Sequence, residues 1–184
     1  LIFLSIVMQE GQTLIKDYQR DRIMAFFDPA TYADTEAYQQ LNSVIAIGSG
    51  QLWGKGLNNT DIASVKNGNF LPESQTDFIF AVIGEELGFV GSAVVILLLI
   101  LIAMRCVSIA RVAKDTAGMV IAAGMGSLIG IQGFMNIAVA TMMMPNTGLP
   151  LPFVSYGLSS LVSMYIGIGF VLNVGLQRKN LYNL

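Results

Sequence analysis

The sequence predicts an all-α integral membrane protein, a polytopic helical-bundle fragment with a large extracytoplasmic loop that contains short helices. Three observations predict it. Of 184 residues, 54% are hydrophobic and only 12% charged, where a soluble domain carries about 25% charge. Three late stretches are each long and apolar enough to cross a hydrocarbon core of roughly 30 Å, which takes about 20 helical residues. The stretch before them is polar and rich in turn-forming residues, so the hydrophobicity is concentrated rather than spread.

In chain order, residues 1–8 are apolar, with neither a start methionine nor a basic flank, and read as the end of a truncated transmembrane helix rather than a signal peptide. The chain is therefore expected to be a piece of a longer protein, inactive alone. Residues 9–76 form the large loop, 77–104 a first complete span, 105–115 a short connection and 116–144 a second span. Residues 145–152 make a second short connection, 153–176 a third span and 177–184 a tail. Arg105, Arg111, Lys114, Arg178 and Lys179 stand in the 105–115 connection and the tail against one acid, Asp115. Excess Lys and Arg in short segments marks the cytoplasmic side. That places this connection and the tail inside and the 9–76 loop outside.

Within the loop, a helix is expected from Gln12 to Phe27, its apolar side interrupted by Arg22 and its end set by Asp28-Pro29. Ala37, Leu41, Val44, Ile45 and Gly48 share one helical face, with Gln39, Asn42 and Ser43 opposite. This stripe predicts a helix whose apolar side lies on the membrane or over the bundle. Glycine and asparagine from Gly48 to Phe70 predict an irregular loop.

Composition excludes several chemistries. There is no histidine, so a Ser-His-Asp triad, an HExxH zinc site and imidazole acid-base catalysis are out, and carboxylates become the proton-transfer candidates. A net charge of −2 lacks the basic face that nucleic acid requires. The single cysteine, Cys106, forms no internal disulfide. Glycines around Lys55 do not make a P-loop, because Gly56 stands where Ser or Thr is needed.

The densest local signal is the run from Leu71 to Phe80, which puts Asp77 at the outer mouth of a span. One reading is a capping box, with Ser74 as N-cap and Asp77 three residues on. The other is a catalytic carboxylate, kept ionised by the helix N-terminus. Glu85 and Glu86 lie two turns deeper. Carboxylates in a span face a wet cavity or a partner, and by helical angle Glu85, not Glu86, falls near enough to share a cavity with Asp77. Gln132 and Asn136 share a face of the second span, and Gly126 and Gly130 give a small-xxx-small contact. Ser155, Ser159 and Ser163 with Tyr156 make a polar stripe in the third span. Each of these polar sets reads either as hydrogen-bonded packing or as a cavity wall. Pro145 to Pro152, with three prolines in eight residues, predicts a stiff rim beside Asp77.

Taken in order, these motifs resemble the SEDS family of bacterial cell-wall polymerases. The matching runs are Asp17-Tyr18-Gln19-Arg20-Asp21-Arg22-Ile23, Phe27-Asp28-Pro29, Ile45 to Gly50, Gly54-Lys55-Gly56, Leu71 to Gly88 and Pro145 to Gly157. The resemblance covers nearly the whole chain and points to the C-terminal half of a ten-span protein, from the end of span seven through span ten. Asn42-Ser43 and Gly54 to Leu57 look closer to the elongation branch, RodA, than to the division branch, FtsW.

The resemblance implies a bacterial inner-membrane glycosyltransferase that polymerises lipid II, an undecaprenyl-diphosphate-linked disaccharide pentapeptide, beside a class B penicillin-binding protein and among membrane lipids. Asp77 takes the place of the family's essential aspartate and is the expected general base. Lys55, Lys66 or a divalent ion (Mg or Mn) would meet the diphosphate. Glu85, Gln132, Asn136, Ser155 and Tyr156 are the further candidate substrate contacts. A lipid II flippase and a non-catalytic scaffold for the penicillin-binding protein are the competing readings. Two residues depart from the family pattern: Gln75 where histidine is common, and Leu158 at a position expected to be closely packed.

Overall fold

The computed structural model describes residues 17–32, 37–57 and 75–177. The expected truncated helix 1–8, Lys66, Ser74 and the basic tail residues Arg178 and Lys179 lie outside them. The described residues form five helices: α1 Asp17–Phe27, α2 Tyr38–Ser49, α3 Ile79–Arg111, α4 Thr116–Ala140 and α5 Leu158–Leu176. Helices α3, α4 and α5 are long and apolar enough to span a membrane, with mean hydropathies of 2.9, 1.5 and 1.6 in their most apolar windows. Among the described residues there is no strand. The chain is an all-helical, multi-pass membrane fold.

α3 and α4 form the central pair. Gly126 lets them approach: a Cβ there would stand 3.0 Å from the Ala103 carbonyl oxygen and from Cys106 Cβ. Gly130, expected to share that contact, meets only Ala103 Cβ at 4.0 Å. Asp115 caps α4 by accepting from the Gly118 amide at 3.0 Å. α5 closes the core through Met164 and Val171 against Cys106, Ala110, Ala122 and Ile129. The helices differ from expectation at their ends. α3 runs on to Arg111, α4 stops at Ala140, and α5 starts at Leu158 because the chain turns at Phe153, whose φ is +64.

The sequence reads as one unbroken apolar run through α3, but the helix breaks at Gly88, with φ 65 and ψ −163. An intact helix would bond the amides of Phe89 and Val90 to the carbonyls of Glu85 and Glu86. Instead, the Phe89 amide donates to Gln51 O at 2.8 Å and Val90 to Leu52 O at 3.2 Å. The freed carbonyls accept from the same loop, Lys55 N to Glu85 O at 2.9 Å and Gly56 N to Glu86 O at 3.0 Å. Two donors and two acceptors lost to the helix are thus exchanged with residues 51–56. The helix after the break has about 23 residues, roughly 34 Å, which suffices to span on its own. Neither glutamate then has to enter hydrocarbon.

The side of α2 that packs on the bundle is largely polar, and Val44, Ile45 and Gly48 of the stripe face away from it while Ala37 is buried. Gln40, Ser43 and Ala46 point inward, whereas Ile45 is 67% exposed and Val44 40%. The reason is the C-terminus of α4, whose last carbonyls lack intrahelical donors. Gln40 Nε2 donates to Val139 O (3.1 Å) and Met144 O (2.8 Å), and Ser43 Oγ to Ala140 O (2.7 Å). Leu158, expected to crowd a tight spot, is 82% exposed because it opens α5 facing away from the described core.

The break gives a direct prediction. Gly88→Ala puts a side chain where the backbone is nearly glycine-only and overlaps it with the Gly54 amide nitrogen. It should cost about 2 kcal/mol or more, read as a lowered unfolding midpoint in detergent. Gly124→Ala, where a Cβ meets nothing within 4 Å, should leave the midpoint level or raised.

Candidate functional site

Asp77 lies in the turn 75–78, ahead of the first helical residue Ile79. The N-cap of α3 is Phe78, which makes no side-chain capping bond. The capping-box reading, which needs Asp77 inside the first turn of the helix, is thereby corrected. The turn is fixed instead through its main chain. Three consecutive carbonyls each receive a donor from another element. Gln75 O accepts from the Tyr156 amide at 2.8 Å and Thr76 O from Ser155 Oγ at 2.6 Å. Asp77 O accepts from Asn136 Nδ2 at 2.8 Å. Phe78, fully buried against Ala46, Ala81 and Val139, anchors the next residue.

The same polar side chains hold the proline-rich rim. Asn136 Nδ2 also donates to Leu149 O at 2.7 Å, Gln132 Nε2 donates to Pro150 O at 2.9 Å, and Ser155 Oγ accepts from the Leu151 amide at 2.6 Å. Asn136 is 1% exposed and Ser155 2%. Proline cannot donate, so this loop is rich in acceptors, and buried acceptors need partners. Gln132, Asn136 and Ser155 therefore serve as clamps on backbone, the packing alternative of the sequence reading.

The clamps bring the rim against the carboxylate. Gly148 sits there with φ +68 and its amide donating to Asn146 Oδ1 at 3.1 Å. The position of a Cβ on Gly148 is 3.4 Å from Asp77 Oδ2 and 4.0 Å from Arg22 Nη1. Arg22, on α1, thus faces the same glycine as Asp77. Sequence reasoning registered Arg22 as an interruption of an apolar face and as part of the Asp17 to Ile23 run, without giving it a role at the site.

Lys55 is placed elsewhere. Its Nζ lies 2.8 Å from Glu85 Oε1, with Glu85 2% exposed and the lysine side chain 29%. Glu85 is thereby paired with the loop that repairs the helix break. Glu86 lines a groove of about 400 Å³ with Gln75, Ile79, Val82, Ser155 and Tyr156. Tyr156 is 74% exposed. A larger groove of about 620 Å³, beside the break, is walled by Ile47, Phe80, Phe89 and Ile137 and is apolar. No cluster of three or more His, Cys, Asp or Glu side chains suited to a metal occurs among the described residues.

Residues 1–180 match the sequence profile of the FtsW/RodA/SpoVE family of cell cycle proteins. The chain belongs to this family. It is 40% identical over 182 residues to the probable peptidoglycan glycosyltransferase FtsW of Nitrosomonas europaea, covering 97% of this chain and 46% of that protein. It is 42% identical over 168 residues to the peptidoglycan glycosyltransferase MrdB of Escherichia coli K12, covering 91% and 45%. A solved chain, described under structural coordination of polymerization and crosslinking by a peptidoglycan synthase complex, superposes with a TM-score of 0.68 at 29% identity. That match covers 99% of this chain and 48% of the other. The chain spans about half the length of the curated relatives it matches.

The ion pair gives the prediction of this site. Lys55→Met leaves Glu85 buried without its cation and should cost about 1–3 kcal/mol, discounted for the partly exposed lysine. The double change Lys55→Met with Glu85→Gln should recover more than half of that loss in a double-mutant cycle on the unfolding midpoint.

Proposed function

We propose that the protein containing this chain is a peptidoglycan glycosyltransferase of the bacterial inner membrane that polymerises lipid II, with Asp77 as its general base. The observation that carries this reading is the placing of Asp77. Its main chain is held by Asn136, and its carboxylate lies ahead of α3 beside the rim glycine Gly148. The names of the relatives supply the reaction class.

The 4-hydroxyl of one lipid II attacks the anomeric carbon of the growing strand. Its proton passes to an Asp77 carboxylate oxygen as the O4–C1 bond forms. The bond from C1 to the diphosphate oxygen breaks, and the electron pair leaves with the lipid diphosphate. One carboxylate is sufficient for such an inverting displacement. Of the cations first expected at the diphosphate, Lys55 is committed to Glu85. Basic residues at the 105–115 end of α3 and the acidic balance of the long loop support an outward-facing site. Elongation is the assigned process, on the RodA-like details, and a class B penicillin-binding protein is the assigned partner. The solved complex that couples polymerization with crosslinking supports the latter.

A flippase would need polar side chains to line a path through the bundle. Gln132, Asn136 and Ser155 donate instead to backbone carbonyls, which favours chemistry at the outer end. Asp77→Asn, made in the complete reading frame that encodes this chain and assayed with its penicillin-binding partner on purified lipid II, should lower strand synthesis at least about 100-fold. The partner complex should still form. Glycan strands at the wild-type rate would remove the base assignment. Labelled lipid II crossing liposomes without polymer would favour transport.

A further inference from the structure

Resting on the reading of the complete protein as a lipid II polymerase, we propose that the groove between the starts of α3 and α5 is a subsite for one sugar ring of the substrate. The ring lies on Tyr156, and the Gln75 side chain meets its polar edge. The groove holds about 400 Å³. Ile79, Val82 and Glu86 recur every three or four residues, so one face of α3 forms a wall roughly 10 Å long. Val154, Tyr156 and Leu161, from the chain entering α5, form the other wall.

The walls are fixed before any ligand arrives. The Tyr156 amide donates to Gln75 O at 2.8 Å, which ties the two sides together. Ser155, 2% exposed, commits its hydroxyl to Thr76 O and the Leu151 amide. Further along α3, Glu86 O accepts from the Gly56 amide at 3.0 Å, so the 51–56 loop fixes that end. The Glu86 side chain has an interaction of its own, and the subsite does not call on its carboxylate. Among the described residues the Tyr156 ring stays 74% exposed on this pinned backbone. An open tyrosine gives a large, rigid contact at little cost in side-chain entropy.

The lining sets the class of ligand. Among the described residues no lysine or arginine lines the groove, so a diphosphate would enter it without the cation it needs. The Gln75 amide and the Tyr156 hydroxyl are neutral, and each both donates and accepts. A pyranose has the matching surface: hydroxyls at its edge that also donate and accept, and an apolar face of C–H groups. That face lies flat on an aromatic ring, whose own face is negative, with Ile79 and Val82 as further apolar wall. Small-molecule sites have this make-up, a mostly apolar lining with a few placed polar groups. The occupant is a neutral sugar rather than the diphosphate or a charged peptide. Gln75 precedes Asp77 by two residues, at most about 7 Å along the chain. A ring in the groove is thus adjacent to the turn that carries the base.

Binding without turnover tests the subsite in the complete protein with its partner, in an Asp77→Asn background. Tyr156→Ala should raise the Kd for lipid II at least about tenfold, as truncation of a central aromatic contact does. Tyr156→Phe, which keeps the ring, should stay within about threefold, and Gln75→Ala should rise about fivefold. Undecaprenyl diphosphate carries the tail and the diphosphate but no sugar, and should bind every variant as it binds the parent. An unchanged Kd for lipid II in Tyr156→Ala and Gln75→Ala overturns the subsite. An equal loss of affinity for undecaprenyl diphosphate also overturns it, because the contact would then not be with sugar. The readout is independent of catalysis. Wild-type strand synthesis by Asp77→Asn would remove the base and leave the subsite standing, whereas a parent that binds no lipid II would remove the substrate reading and the subsite together.

Discussion

The hydrogen bonds from Asn136 to the carbonyl oxygens of Asp77 and Leu149 decide what the Asp77 end of this bundle can be. A backbone group left without a partner in or near hydrocarbon costs several kcal/mol, so irregular chain at membrane depth persists only where side chains supply what a helix would have supplied. The turn carrying Asp77 and the proline-rich rim are both irregular. Both are tied to α4 through the same amide, and Ser155 ties them again through Thr76 O and the Leu151 amide. Without α4 and the start of α5 the carboxylate would have no fixed position. With them, it is held on a rigid element facing a rigid rim.

The same constraint explains the two other departures from regular helix. At Gly88 the helix opens, and the 51–56 loop repairs it bond for bond. At the end of α4, Gln40 and Ser43 reach across from α2 to the last carbonyls. In each case a loop outside the spans is captured by backbone that a span has released. The long polar segment is therefore part of the bundle's hydrogen bonding, and a change in the loop is expected to be felt in α3 and α4. The buried Glu85, paired to Lys55 from that loop, adds charge to the same contact.

How far the sequence reveals this follows from the physics of each feature. The spans were legible because hydropathy over about 20 residues depends on composition alone, and α3, α4 and α5 stand where the apolar runs stand. Asp77 was legible as a carboxylate at the mouth of a span, although its exact place ahead of the helix was not, since turn and first turn share the same residue preferences. The break was hidden because Gly88 in an apolar run reads like any packing glycine, and what opens the helix is a loop more than thirty residues upstream in the chain. Which side of α2 packs on the bundle was left open for a related reason. An apolar stripe is evidence of the buried side only when the neighbour is apolar, and the neighbour here is a row of carbonyl oxygens. Arg22 was visible as a charge on an apolar face, but the partner that gives it meaning, Gly148, is far away in sequence.

The division of charge between two sites bears on chemistry more than either site alone. Glu85 is buried, 2% exposed, and pairs with Lys55. A carboxylate in that position is poorly placed to meet anything that arrives from outside. Asp77 is partly exposed, on a turn rather than within the buried part of a helix, with Gly148 of the rim beside its carboxylate. Cations follow the same division. Lysine, a compact point charge, stabilises the buried acid, while arginine, a rigid fork of donors, stands beside the rim glycine.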